Sequence, residues 1–295
     1  MSMEKITFTS NGKKIVGNLY LPEKASSEKV PGIIVTGTWT SVKEQMANRY
    51  AERLSQKGFA ALSFDFRNFG ESEGEPRDFE SPELKIEDHH NAVTFMRSRK
   101  EVDPERIGEL GICASAGYVL VNTVTDGRVK SLAFVAPWLH NSGIVRALYG
   151  NDEGIRQKMD QGRKARVTYE ETGEVQYVPA LSETDKNAAM PMKLDFYLDP
   201  KRGAIPEWPN RFAVMSWLWW LTFDPIRYAK DLHVPIQIVH SEKAATPDAV
   251  KSFYENVTAP KDILWTEGEQ TDFYDQEPQV MTAIDAVTAH FGKTL

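Results

Sequence analysis

The segment Arg106-Ile-Gly-Glu-Leu-Gly-Ile-Cys113-Ala-Ser-Ala-Gly-Tyr118 contains the only cysteine of this 295-residue chain. Its first half is apolar enough to form a buried strand, and the apolar run that continues from Tyr118 predicts a helix. Small residues separate the two elements, as in a nucleophile elbow, where the reactive residue adopts a strained backbone while strand and helix pass at close quarters. The segment therefore predicts a nucleophile at a strand-to-helix turn, with Gly111 and Ser115 as its small flanks.

Two residues compete for the nucleophile position. Cys113 follows Gly111 at the spacing of the elbow motif and closes the strand, whereas Ser115 would need a longer strand and Cys113 as its leading small residue. Strand length and flank size favour Cys113. The alternative role for Cys113 is that of a buried structural thiol, because an unpaired cysteine often packs like a small hydrophobic residue.

The chain on both sides of the elbow alternates between strand patterns and helix patterns. Asn11-Gly12 separates two alternating runs, Ile6–Thr9 and Lys14–Leu21, and predicts a β-hairpin. The other predicted strands are Val30–Val35, Phe59–Phe64, Ser131–Ala136, Val234–His240 and Asp262–Trp265. The predicted helices are Glu44–Gln56, Pro82–Arg97, one that begins at Pro247, and Pro278–Phe291. Strands that alternate with helices predict a parallel sheet covered by helices.

The alternation stops after Pro137 and resumes after Phe223. We therefore predict a core made of residues 1–137 and 224–295, with residues 138–223 inserted as a cap. The cap carries an aromatic-rich segment, Arg211–Phe223, that we expect to be a helix. An insertion at this point of the chain should lie over the C-terminal ends of the strands, where open α/β sheets bind ligands.

Composition excludes several classes of partner. The formal net charge is −7, and no block of Lys or Arg suits nucleic acid or an anionic membrane. A single cysteine excludes an intramolecular disulfide, the N-terminus lacks the apolar run of a signal peptide, and no apolar stretch is long enough to span a membrane, so we expect a cytoplasmic location. No spacing implies a metal or an organic cofactor, and we expect His89 and His90 on the surface or at an interface.

Motifs that extend over nearly the whole chain carry a resemblance to a known family. They are Gly37-Thr38-Trp39, Val42-Lys43-Glu44-Gln45, Phe64-Asp65-Phe66-Arg67 with Gly70–Arg77, Gly111-Ile-Cys-Ala-Ser115 and Asp272-Phe-Tyr-Asp275. The chain resembles α/β-hydrolases of the dienelactone-hydrolase-like group, in particular the larger capped members. The resemblance implies an α/β-hydrolase fold, with a mostly parallel eight-stranded sheet flanked by helices and an inserted helical cap.

The resemblance also implies acyl-transfer chemistry. Members of the group are mostly esterases, thioesterases, lactone hydrolases or acyltransferases, including enzymes that release or transfer polyketide acyl chains. Carried over by position, Cys113 is the nucleophile, and backbone N–H groups of Ala114 and of Thr38 or Trp39 form the oxyanion hole. For Asp65 and Arg67 the resemblance implies a structural ion pair.

The positions of the acid and the base depart from the family pattern. The turn after the strand that ends at His240 offers Glu242 as its only carboxylate, so Glu242 is either the acid or an ordinary surface residue. Relatives have a histidine shortly before the Asp272–Asp275 motif, and that position holds Gln270 here. Because an amide takes no proton at neutral pH, the usual relay from nucleophile to base to acid cannot operate.

Three interpretations follow. In the first, the N-terminus of the helix after Cys113 lowers the pKa of the thiol, so that acylation proceeds without a base, and Glu269 or His140 could activate the acceptor. In the second, the scaffold binds a ligand without covalent chemistry. In the third, the chain partners another protein and its pocket is vestigial, which nothing in the sequence supports.

Aromatic residues of the cap bear on the substrate. Trp138, Trp217 and Trp220 could line the pocket and would then favour an apolar acyl group over a sugar or a charged metabolite, or they could simply pack in the core. The same surface could form a homodimer contact. We predict an enzyme that transfers or hydrolyses the acyl group of a small-molecule ester, thioester or lactone through Cys113.

Overall fold

The computed structural model describes all 295 residues, and its backbone forms ten strands. In chain order these are β1 Ser2–Ser10, β2 Lys13–Leu21, β3 Val30–Thr36, β4 Ala60–Phe64, β5 Val102–Ile112, β6 Val129–Val135, β7 Tyr177–Pro179, β8 Arg211–Ala213, β9 Ile236–Lys243 and β10 Lys261–Glu269. Eight strands form one sheet in the order β1-β2-β4-β3-β5-β6-β9-β10, while β7 and β8 form a separate pair. Only the β1–β2 and β2–β4 pairs of the large sheet are antiparallel, which confirms the predicted mostly parallel eight-stranded sheet.

Helices cover both faces of the large sheet. In chain order they are α1 Met46–Gln56, α2 Pro82–Ser98, α3 Ser115–Thr125, α4 Ser142–Leu148, α5 Asn151–Thr172, α6 Asp195–Leu198, α7 Trp217–Trp220, α8 Pro247–Asn256, α9 Asp272–Asp275 and α10 Glu277–Thr294. Helices α1 and α10 pack on one face of the sheet, and α2, α3 and α8 pack on the other. This is the α/β-hydrolase fold. None of the helices has both the length and the apolar character needed to cross a membrane.

The hairpin at the N-terminus forms where the sequence predicts it. Asn11 and Gly12 both have left-handed backbone, with φ of 46° and 75°. A two-residue type I′ turn needs positive φ at both central positions, and its twist matches that of the strands it joins. The predicted strands and helices of the alternating parts of the chain are confirmed within about one to three residues at most ends, a margin usual for element boundaries.

The chain between β6 and β9 adds no strand to the large sheet. It contains α4, α5, the β7–β8 pair, α6 and α7, and it is fastened to the core by side chains. The guanidinium of Arg202 binds the carboxylate of Asp275 at 2.5 and 2.7 Å, and the indole Nε1 of Trp208 donates to the carbonyl of Thr40 at 2.8 Å. The predicted boundaries at residues 138 and 223 stay a prediction.

The helix predicted over Arg211–Phe223 is wrong. Its first residues form β8, a 3-10 turn follows, and only Trp217–Trp220 is α-helical. The reason is tertiary: Phe212 packs between Trp39 and Trp217, at ring-centroid distances of 4.9 and 4.7 Å. Packing of this kind overrides a local helical pattern.

Two expectations about charged residues also need correction. His89 is fully buried, where its Nδ1 lies 2.8 Å from the Glu109 carboxylate and its Nε2 lies 3.1 Å from the Thr36 hydroxyl. It is a core residue rather than a surface one, whereas His90 is exposed as expected. Asp65 and Arg67 do form buried ion pairs, but with Lys43 and Asp88 rather than with each other.

Candidate active site

The turn between β5 and α3 has the backbone of a nucleophile elbow. Cys113 adopts a left-handed conformation, with φ of 56°, which is unusual for a residue with a side chain. An added Cβ at Gly111 would lie 2.7 Å from backbone atoms of Ser115 and Ala116, so only glycine fits beside the turn. The hydroxyl of Ser115 is fully buried and donates to the carbonyl of Gly37, which leaves the Cys113 side chain at the strained position.

A cavity of about 220 Å³ lies beside Cys113 at the C-terminal edge of the sheet. Loops after β3, β5, β6, β9 and β10 converge there, and the cap covers it. Thirteen of its sixteen lining residues are hydrophobic, and the full set is Thr38, Trp39, Cys113, Ala114, Trp138, Tyr149, Met190, Met192, Leu194, Tyr197, Trp220, Lys243, Ala244, Ala245, Gln270 and Tyr274. Apolar walls with a few polar side chains are typical of sites that bind small molecules.

Three backbone amides beside Cys113 have no oxygen partner within the protein. The N–H groups of Thr38, Trp39 and Ala114 donate to no carbonyl and to no side-chain oxygen. All three residues line the cavity. They could therefore donate to an oxygen on a bound substrate, as an oxyanion hole requires.

The Cys113 side chain is buried. Burial raises the pKa of the thiol, and the neighbouring side chains of Thr38, Tyr274 and Gln270 and the amide of Ala114 offset that effect only in part. The pKa therefore shifts in the direction opposite to the lowering expected from the helix N-terminus, because desolvation of the sulfur outweighs these neighbours.

Gln270 is held by three hydrogen bonds. Its Oε1 accepts from the amide of Ala245 at 2.8 Å, while its Nε2 donates to the carbonyl of Ala136 at 2.8 Å and to the hydroxyl of Tyr274 at 2.9 Å. One acceptor and two donors of the amide are thus matched to groups of the opposite kind, which fixes its orientation. Gln270 bridges the loops after β6 and β9 and orients Tyr274.

Two tyrosines complete the polar side of the cavity. Tyr274 comes from α9, close to Gln270 along the chain, and it lines the cavity together with Cys113. Tyr197 comes from α6 in the cap and is buried beside Thr38 and Tyr274. Burial, reinforced by the nearby sulfur, raises the pKa of both phenols, so each remains a neutral donor.

No carboxylate lines the cavity. The expectation that Glu242 serves as the acid is corrected, because its side chain is 61% exposed and binds the Lys251 ammonium at 2.8 Å. Glu269 is exposed as well and lies outside the cavity lining. The turn that faces Gln270 presents Ala244 and Ala245 instead, and neither can orient a base.

His140 is buried next to the site without lining it. Its Nδ1 accepts from the indole of Trp138 at 2.9 Å, and its ring packs edge-on against Trp220 with centroids 4.6 Å apart. Burial lowers the pKa of His140 to about 4, although backbone carbonyls of Phe223 and Trp220 favour the charged form. Trp138 and Trp220 line the cavity as expected of substrate-contacting residues, whereas Trp217 packs behind them.

Several lining residues carry no signal that sequence reasoning used. Met190, Met192 and Leu194 belong to a cap segment without periodicity, and Tyr197 follows them in a four-residue helix. Tyr274 lies inside the Asp272–Asp275 motif, so that motif did point to it, although its contact with the sulfur depends on the fold.

One acidic cluster resembles a metal site. The carboxylates of Glu44, Asp65 and Glu71 lie close together, but the Lys43 ammonium sits among them, 2.8 Å from Asp65 and 2.7 Å from Glu71. These ion pairs raise the pKa of Lys43 despite its desolvation. The ammonium of Lys43 therefore takes the place among these carboxylates that a metal ion would need.

Comparisons with known proteins agree with this architecture. The model of the X-Pro dipeptidyl-peptidase (S15) family matches residues 11–269. An uncharacterized protein of Pseudomonas aeruginosa is 30% identical, over 99% of this chain and 80% of its own length. Its crystal structure superposes with a TM-score of 0.88 and 27% identity over 100% of this chain and 94% of that one.

Two fungal relatives have names that state an activity. The thiohydrolase aneE of Aspergillus aculeatus is 38% identical over 44% of this chain and 39% of its own length. The acyltransferase drtE of Aspergillus calidoustus is 27% identical over 83% of this chain and 81% of its own length.

Proposed function

This chain belongs to the X-Pro dipeptidyl-peptidase (S15) family of α/β-hydrolase enzymes, and we propose that it transfers an apolar acyl group from an ester, thioester or lactone through Cys113. The observation that carries the proposal is the position of Cys113. Its left-handed backbone presents a thiol to an apolar cavity that is also lined by three amides without an oxygen partner. A buried structural thiol would need neither the strained backbone nor these amides.

The residues around the sulfur support transfer to an acceptor over hydrolysis. With Gln270 at the base position and alanines at the turn that faces it, the cavity has neither a histidine nor a carboxylate to activate water. A hydroxyl or amine acceptor that is more nucleophilic or better bound than water would then resolve the acyl-enzyme. The names of the thiohydrolase and acyltransferase relatives are compatible with either outcome.

The proposed reaction has two balanced steps. In the first, the bond between Sγ and the acyl carbon forms, the bond to the leaving oxygen or sulfur breaks, and the thiol proton departs on that atom. In the second, the acceptor oxygen or nitrogen bonds to the acyl carbon, the thioester bond breaks, and the acceptor's proton returns to Sγ. The amides of Thr38, Trp39 and Ala114 would stabilise the charge on the carbonyl oxygen in both steps, an effect of about a hundredfold or more per donor.

Intact mass spectrometry after incubation with p-nitrophenyl butyrate tests the proposal. We expect a persistent butyryl adduct on the native protein and none on Cys113→Ala, while Ser115→Ala, if folded, still forms it. Adding a primary alcohol or amine should remove the adduct faster than water does. If the native protein forms no adduct and releases no nitrophenol in a Cys113-dependent way, the site instead binds its ligand without covalent chemistry.

A further inference from the structure

Glu80 is a fully buried carboxylate in the segment between β4 and α2. Its two oxygens accept hydrogen bonds from three groups on three different segments. The amide of Thr40 donates at 2.9 Å, the ammonium of Lys85 at 2.7 Å and the hydroxyl of Tyr118 at 2.7 Å. A buried charge with this many partners is costly to build, so its geometry needs an explanation beyond packing.

Two of these partners, Thr40 and Tyr118, lie in the two segments that supply the amides of the proposed oxyanion hole. Thr40 directly follows Thr38 and Trp39, and its backbone is left-handed, with φ of 54°. Tyr118 lies one turn inside α3, the helix that begins next to Ala114. Glu80 therefore holds the loop after β3 and the elbow helix to the same pair of oxygens.

The remaining bonds around Glu80 fix its own position. Lys85 is buried over the rings of Phe66 and Phe69, 4.7 and 4.5 Å from their centroids, so its ammonium cannot turn to water. The backbone N–H of Glu80 donates to the hydroxyl of Ser216 at 2.9 Å, which connects this residue to the cap. The core, the cap and the two segments that carry the amide donors are thus tied to one residue.

We propose that Glu80 is the positioning residue that sets the spacing between the oxyanion-hole amides of the loop after β3 and the amide of Ala114. This inference rests on the proposed function, because an oxyanion forms only if Cys113 is acylated. Glu80 does not touch the cavity and acts through Thr40 and Tyr118. It should therefore affect attack on a carbonyl but not a displacement that develops no oxyanion.

Two reactions of the same sulfur separate these effects. Acylation by p-nitrophenyl butyrate needs both the sulfur and the oxyanion hole, whereas alkylation by iodoacetamide needs only the sulfur. In Glu80→Gln one acceptor oxygen is left for three donors. We expect this variant to slow acylation at least about tenfold, since one lost donor typically costs about a hundredfold or more, while the rate of alkylation stays within about twofold of the native value.

A second variant protects the test against a folding defect. Glu80→Gln with Lys85→Met removes both buried charges, so that the introduced amide can accept from Thr40 and donate to Tyr118. This double variant should regain most of the native acylation rate. Equal rates of acylation in Glu80→Gln and the native protein, or a parallel loss of acylation and alkylation, would overturn the positioning role alone. Failure of the native protein to be acylated at all would overturn both this role and the proposed function.

Discussion

The surroundings of the Cys113 sulfur determine how its reactivity depends on pH. Burial raises the thiol pKa, and the nearby Tyr274 hydroxyl is one of the groups that oppose this effect. The alkylation rate with iodoacetamide should therefore rise with pH, about tenfold per unit, without a plateau below about pH 9. Tyr274→Phe removes a donor and should slow alkylation severalfold at pH 8, whereas Tyr254→Phe, which changes a tyrosine far from the sulfur, should not. A plateau near neutrality would mean that a thiolate is present in the resting protein.

Gln270 allows a residue-level test of the proposal that water is a poor acceptor. Gln270→His alone should not increase hydrolysis of the acyl-enzyme, because no carboxylate of the cavity can orient the new imidazole. Combining it with Ala244→Asp or Ala245→Asp supplies that carboxylate from the turn that contacts residue 270. We expect at least one double variant to release butyrate at least about a hundredfold faster, the usual range for a general base. The measurement is single-turnover loss of the adduct, and equal lifetimes in all variants would contradict this account.

At the scale of elements, the elbow depends on contact between β5 and α3. An added Cβ at Gly111 would meet the backbone of Ser115 and Ala116, while one at Gly127 would meet nothing within 4 Å. Gly111→Ala should therefore cost about 1–3 kcal/mol of unfolding free energy, and Gly127→Ala should change it by less than about 0.5 kcal/mol. The midpoint of urea unfolding compares the two. Similar midpoints would show that α3 can move away from the strand without cost.

Sequence reasoning worked for elements whose pattern is local. The hairpin turn, β3, β4, α2 and α10 follow from periodicity and turn residues, and the elbow follows from small residues around Cys113. It failed where distant packing decides the outcome, as at Arg211–Phe223, where Phe212 is inserted between two tryptophans. It also failed at Glu242, because sequence order cannot show that Lys251 binds this carboxylate outside the cavity.

For the whole molecule, buried neutral histidines make stability depend on acidity. Burial lowers the pKa of His140 and of His240 to about 4. The unfolded chain binds a proton at each of these histidines near pH 6.5, whereas the folded chain does so only near pH 4. The contribution of each neutral histidine to the unfolding free energy is therefore fully present above pH 6.5 and is lost as the pH falls toward 4, at about 1.4 kcal/mol per pH unit. His240→Gln should flatten the curve of unfolding free energy against pH by one proton in this window. Parallel curves for this variant and the native protein would contradict the assignment.

The cap also separates two cavities. Tyr149 lines the cavity beside Cys113 and, on its other side, a groove of about 1140 Å³ between α5 and β7. Its hydroxyl accepts from the indole of Trp220 at 2.9 Å, which holds the ring in place. Tyr149→Ala should join the two spaces and raise the acylation rate for octanoyl relative to acetyl esters by at least about tenfold, while Tyr149→Phe keeps the native preference. An unchanged preference in Tyr149→Ala would place the acyl chain elsewhere.

The apolar lining of the cavity makes it comparable to an aprotic solvent. Within such a medium the proposed thioester would be stable for the same reason that it is stable in an organic phase, because few groups of the lining bind water and no histidine or carboxylate is among them. The choice among acceptors should then follow their partition coefficients more closely than their basicity, so that a long-chain alcohol competes better than a small, strongly basic amine. The protein would in this way select its second substrate by solubility.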